Sequence, residues 1–125
     1  MTAFDGRYPY EAAVTAYGNG GFRFADMSHK GSILCLPSGV HAWTAATPEL
    51  LTVDDFAKVF ADLDAPAVLL LGTGATQVFA KPAIARAFAE AGIGLEEMST
   101  GAAVRTYNIM IAEKRRIGAA LIAIT

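Results

Sequence analysis

Short apolar runs broken by glycine and proline turns, one of them alternating with period two, make the first third of the chain β-rich. Phe22, Arg23 and Phe24 read apolar, charged, apolar, which sends both rings to one face of a strand and the guanidinium to the other. Ala12 to Tyr17 reads as a preceding strand. Gly18-Asn19-Gly20-Gly21 joins the two as a tight turn, because these residues tolerate the positive φ such turns require. Gly31 to Leu36 is a continuous apolar run that Pro37-Ser38-Gly39 ends, and Val40 to Ala45 continues extended. The period then changes. Thr52 with Asp55 three residues on forms an acidic capping box, and Phe56, Val59, Phe60 and Leu63 recur at helical spacing, predicting a helix over about Val53 to Leu63. Ala67 to Leu71, between Pro66 and Gly72, reads as a buried strand. A helix follows that starts at Pro82 and closes at Gly92. Leu95 to Met98 is a short strand, Thr100 is placed to cap a third helix carrying Ala103, Tyr107 and Met110 on one face, and Ile117 to Ile124 makes a final strand.

Strands first and then alternating strands and helices predict one α/β domain over residues 1–125, with an N-terminal β-rich hairpin region. A length of 125 residues suits one core, and 54% hydrophobic against 18% charged residues excludes a disordered chain. The surplus of apolar residues leaves room for an interface, with a protein partner or in a homodimer. A net charge of -2 argues against nucleic acid, which demands a positive surface. The cationic run Lys114-Arg115-Arg116 falls at a helix C-terminus, where it complements the dipole. Its apolar runs are too short to span a membrane as helices. One cysteine, Cys35, allows no internal disulfide, and Met1 to Tyr10 matches neither a secretory signal nor an Arg-rich transit peptide, so the cytoplasm is the expected location.

Two strand-to-helix junctions carry the candidate chemistry. If their strands run parallel, Gly72-Thr73-Gly74 and Thr100-Gly101 open at one sheet edge, where α/β folds hold ligands. Glycine amides can converge as an anion nest, and a helix start offers free N-H groups with the positive end of the dipole. Arg105, Thr106, Tyr107 and Asn108 add polar groups to a helix that otherwise looks buried, and their partners are either a ligand or other protein groups bracing the core. No dinucleotide fingerprint is present, since Gln77 stands where a third glycine or alanine is needed and Pro82 delays the helix. A phosphate-binding Gly-Lys-Ser/Thr ending is absent as well. Arg86 reads as solvated, and Trp43 as core or interface. His29 and His41 lack the partners of a metal site, and no cofactor is implied.

Cys35 and His41 invite a thiol–imidazole dyad. A two-residue turn of Ser38 and Gly39 would put Leu36 opposite His41 and Cys35 opposite Ala42, on opposite faces for the dyad pair; a three-residue loop would reverse this.

Tyr17-Gly18-Asn19-Gly20-Gly21-Phe22-Arg23, Gly31-Ser32-Ile33-Leu34, Leu36-Pro37-Ser38-Gly39-Val40, Leu71-Gly72-Thr73-Gly74 and above all Thr100-Gly101-Ala102-Ala103-Val104-Arg105-Thr106-Tyr107-Asn108 give the chain a family resemblance. It resembles the small domain-of-unknown-function family that includes mitochondrial complex I assembly factor 3 and an adipogenesis-associated domain protein. The resemblance implies a three-layer α/β domain with a mixed central sheet and no established catalysis. Two functions remain open from the sequence. One is a non-catalytic binding or assembly-factor-like module; the other is an enzyme or sensor that holds a small anionic ligand at the 72–74 and 100–108 junctions.

Overall fold

The computed structural model describes residues 4–125. Residues 1–3, the start of the Met1 to Tyr10 segment read above for targeting signals, lie outside it. Among the described residues nine strands form two sheets: β1 (Arg7–Tyr8), β2 (Val14–Gly18), β3 (Gly21–Phe24), β4 (Met27–Lys30), β5 (Ser32–Leu36), β6 (Gly39–Trp43), β7 (Val68–Gly72), β8 (Gly94–Met98) and β9 (Ile117–Leu121). The helices are α1 (Ala57–Ala61), α2 (Pro82–Ala91) and α3 (Thr100–Ala112). The large sheet has the order β1-β6-β5-β9-β7-β8, and β2-β3-β4 form a separate antiparallel meander. The large sheet is mixed: β7 pairs in parallel with β8 and β9, and β9 joins this parallel half to the antiparallel strands through β5.

Side-chain alternation in the central strands builds two cores. Ile33 and Cys35 of β5, Leu70 of β7, and Ile117, Ala119 and Leu121 of β9 face one side, where they meet Phe22 and Phe24 of the meander and Ala103, Val104 and Tyr107 of α3. Leu34, Leu36, Leu69, Leu71 and Ala120 face the other side and pack on Phe56, Val59, Ile84 and Phe88. Phe22 and Phe24 are buried and Arg23 is exposed, as the alternation requires. In the second core the rings of Phe56 and Phe88 meet edge to face with centroids 5.2 Å apart, an arrangement that suits their quadrupoles. Trp43 joins this core, where its indole N-H donates to the Asp55 carbonyl at 2.7 Å.

Three local readings are corrected. The segment expected as one helix over Val53 to Leu63 begins as a tighter 3-10 turn, Val53–Phe56, and becomes α-helical only at Ala57. Its capping box is present, with the Thr52 N-H donating to the Asp55 carboxylate at 2.8 Å. The chain turns extended at Asp62, so Leu63 points to solvent instead of completing the apolar stripe. The β5–β6 loop is Pro37-Ser38, not Ser38-Gly39: Leu36 pairs with Gly39, Cys35 with Val40 and Leu34 with His41. Proline's fixed φ suits the first loop position of such a turn. Ser99, not Thr100, caps α3, its hydroxyl accepting from the Ala102 N-H at 3.3 Å. α2 starts at Pro82 and ends at Gly92 with φ 72°, where a left-handed residue closes the helix.

Candidate functional site

Because β7 and β8 are parallel neighbours, the two junctions leave the same edge of the sheet and touch. The Thr100 N-H donates to the Gly74 carbonyl at 2.8 Å, and the Gly74 N-H donates back to the Thr100 hydroxyl at 2.9 Å. That hydroxyl also donates to the Ile122 carbonyl at 2.7 Å, so one fully buried side chain ties together the exits of β7 and β9 and the start of α3. Thr73 is spent in the same way. Its hydroxyl donates to the Thr76 carbonyl at 2.6 Å, is also 3.1 Å from the Met98 carbonyl, and accepts from the Val78 N-H at 2.9 Å. Gly72 ends β7 against Thr100, where an added Cβ would lie only 3.0 Å from the Thr100 Cα and from the Leu121 side chain.

The polar groups of α3 divide between interior and surface. Asn108 mimics a strand edge: its side-chain oxygen accepts from the Val14 N-H at 2.9 Å and its amide donates to the Val14 carbonyl at 2.8 Å. This clamp sits where β2 slips its register against β3, between Val14 and Ala16, and it satisfies backbone groups at the irregularity. Gly101 is explained by Tyr17, whose hydroxyl would lie 2.6 Å from any Cβ added there. Arg105 is exposed, with its guanidinium near the same Gly101 face, and Thr106 is half-buried. The amides and hydroxyls that the sequence offered to an anion are thus bonded to protein atoms at Thr73, Gly74, Thr100 and Asn108.

Tyr107 is fully buried and its hydroxyl has no hydrogen-bond partner. Burial, with lesser contributions from Cys35 and Glu11, drives its pKa well above the ordinary tyrosine value. A buried hydroxyl without a partner is a standing cost, so Tyr107→Phe is expected to stabilise the fold by about 1 kcal/mol, read from the midpoint of urea unfolding. A loss of stability of that size would mean the hydroxyl has a partner in solution.

Cys35 and His41 lie on opposite faces of the large sheet. Cys35 sits in the core beneath α3, and burial pushes its thiol up to about 12, which makes it a small core residue rather than a nucleophile. His41 faces the other side. Its Nε2 is 3.1 Å from the Ser38 hydroxyl, and across the ladder it pairs with Arg7 of β1. Sequence reading missed this Ser38–His41 pair. The Ser-x-x-His spacing over a two-residue turn was its one available signal, and the turn had been placed one residue too far along. His29 is half-buried in the meander, against the ring of Phe4. Among the described residues no three His, Cys, Asp or Glu side chains come together as a metal site, and no helix is long and apolar enough to cross a membrane.

The profile of a family described as protein of unknown function (DUF498/DUF598) matches residues 14–122, which takes in the meander, both junctions and the clamp. The chain belongs to the DUF498/DUF598 family. An uncharacterized Rhodobacter capsulatus protein is 33% identical over 109 residues, covering 87% of this chain and 82% of the relative. Assembly factor 3 of the NADH dehydrogenase [ubiquinone] 1 alpha subcomplex from Mus musculus is 25% identical over 98% of this chain, which spans 66% of the mouse protein. Among solved structures, a Bartonella henselae chain described as an outer membrane protein superposes with a TM-score of 0.90 at 44% identity, covering 94% of this chain and 99% of its own. A Bordetella pertussis Mth938-like domain does so at 0.77 and 32% identity, covering 90% of this chain and 85% of its own. The DUF498/DUF598 fold therefore carries the mixed α/β architecture described above.

Proposed function

We propose that this DUF498/DUF598 chain is a non-catalytic, assembly-factor-like module that docks another protein. The similarity to the mouse assembly factor, which extends over 98% of this chain, carries the reading. The bonding of the junctions supports it, since Thr73, Gly74, Thr100 and Asn108 serve the fold itself. The solvent side of α3 offers a surface of suitable character. Arg105 and Ile109 are one helical turn apart, Ile109 is 61% exposed, and the ring of Tyr17 lies over Gly101 on the same helix. Aromatic and arginine side chains are the usual anchors of such surfaces.

Capture of a tagged chain from its own cells, followed by size-exclusion chromatography, tests the reading. A partner retained at constant stoichiometry is expected, and Ile109→Asp should release it while changing folding stability by no more than about 0.5 kcal/mol, as surface substitutions do. A chain that elutes alone, as a monomer, from every capture would overturn the docking role.

A further inference from the structure

A surface cavity of about 430 Å³ opens on the face of the large sheet opposite α3, between the sheet edge and α1. Its walls combine Arg7 of β1, Ser38 of the β5–β6 loop, His41 of β6, Lys58 of α1, and Asp62 and Leu63 just beyond it. We propose that this cavity binds the phosphate group of a small molecule, with Arg7 and Lys58 supplying the charge and Ser38, backed by His41, supplying a directed hydrogen bond.

Four observations meet in this assignment. Arg7 and His41 are direct cross-strand partners, so both side chains stand on one face of the sheet, and Lys58 approaches that face from the helical layer. Among the described residues neither Arg7 nor Lys58 has a carboxylate within 4 Å, the one such pair being Arg116 with Asp64. Arg7 and Lys58 outnumber Asp62 at this concave wall, and the excess positive charge favours an anion whose several oxygens can meet both cations and Ser38 at once. Asp62, the acidic wall residue, accepts from the Asp64 N-H at 3.0 Å through one oxygen, and its other oxygen is buried without a hydrogen-bond partner.

The Ser38–His41 bond gives the site a directional donor. Burial first, and then Lys58 and Arg7, depress the pKa of His41, with Asp62 opposing, and so favour its neutral form. A neutral imidazole either accepts from the Ser38 hydroxyl or donates to it, according to tautomer. With the proton on Nε2, the imidazole donates to Ser38 Oγ and leaves the hydroxyl hydrogen free for a phosphate oxygen. A bound phosphate would also offset the two cations and raise the His41 titration midpoint, since binding and protonation must favour each other reciprocally.

Amide and imidazole NMR of the full chain tests this, with inorganic phosphate and glycerol 3-phosphate as probes and acetate as the monoanionic control. Saturable shifts are expected at the amides of residues 38–41, together with a raised His41 midpoint and an Nδ1 signal moving toward the protonated form. Affinity should fall about tenfold or more in Lys58→Gln and in Arg7→Gln, each of which removes a charge-assisted contact from an exposed position. Ser38→Ala, a second variant that keeps both charges, should bind more weakly and show a smaller Nδ1 response at the same probe concentration. Tighter binding of the ester than of inorganic phosphate identifies a phosphorylated metabolite as the ligand class, and equal binding identifies the phosphate group alone. The site is refuted if neither phosphate saturates these amides, if acetate does so equally well, or if the lysine and arginine variants bind as the wild type does.

Discussion

Thr100→Val is expected to destabilise the fold by about 2–5 kcal/mol, although the two side chains have nearly the same shape. Valine fills the volume but removes both hydrogen bonds of a fully buried hydroxyl, stranding the Gly74 N-H and the Ile122 carbonyl. Each orphaned buried group costs about 1–3 kcal/mol, far more than the methyl gained returns. Thr100→Ser keeps the oxygen and should cost only about 1 kcal/mol, the value of one buried methyl group. Urea unfolding of the three proteins checks this order. Equal stabilities for valine and threonine would show that the brace between the junctions holds nothing.

The second large effect belongs to Asn108, which ties α3 to Val14 across 94 positions of sequence. Asn108→Ala should cost about 2–3 kcal/mol, because two hydrogen bonds go and both backbone groups of Val14 lose their partner. The loss is expected to be local as well as global. Hydrogen exchange at the Val14 amide should accelerate more than at Leu70 in β7, since β2 can loosen while the large sheet stays paired. Asn108→Asp separates the two halves of the clamp: it keeps an acceptor for the Val14 N-H but turns a carboxylate toward the Val14 carbonyl. A variant as stable as wild type, with unchanged exchange at Val14, would remove the clamp from the account of the fold.

What the sequence disclosed about this architecture follows from the range over which each cause acts. Most strands were legible because alternation and apolar runs are local, and burial of Phe22 and Phe24 with Arg23 outside is a direct result, whereas β1 and β4 carry too short and too polar a pattern to be read. Pro82 and Gly92 marked the ends of α2 for equally local reasons. The convergence of the two junctions was also legible, since parallel neighbours empty at one edge. What occupies that edge was not. The capping role assigned to Thr100 belongs to Ser99 one residue earlier, and Thr100 reaches instead to Gly74 and Ile122, partners 26 and 22 positions away. The same limit hid the cavity by α1. Arg7, Ser38 and Lys58 come together through ladder register and the packing of two layers, and no spacing rule connects them.

The position of β9 has a consequence for biosynthesis. It lies in the middle of the large sheet, hydrogen-bonded to β5 on one side and to β7 on the other, yet among the described strands it follows all its neighbours in chain order. A nascent chain that has emerged only as far as α3 holds two half-sheets with no seam between them and both flanks open. Cooperative closure must await the final strand, and until then the exposed edges of β5 and β7 are the chain's points of greatest danger on the ribosome.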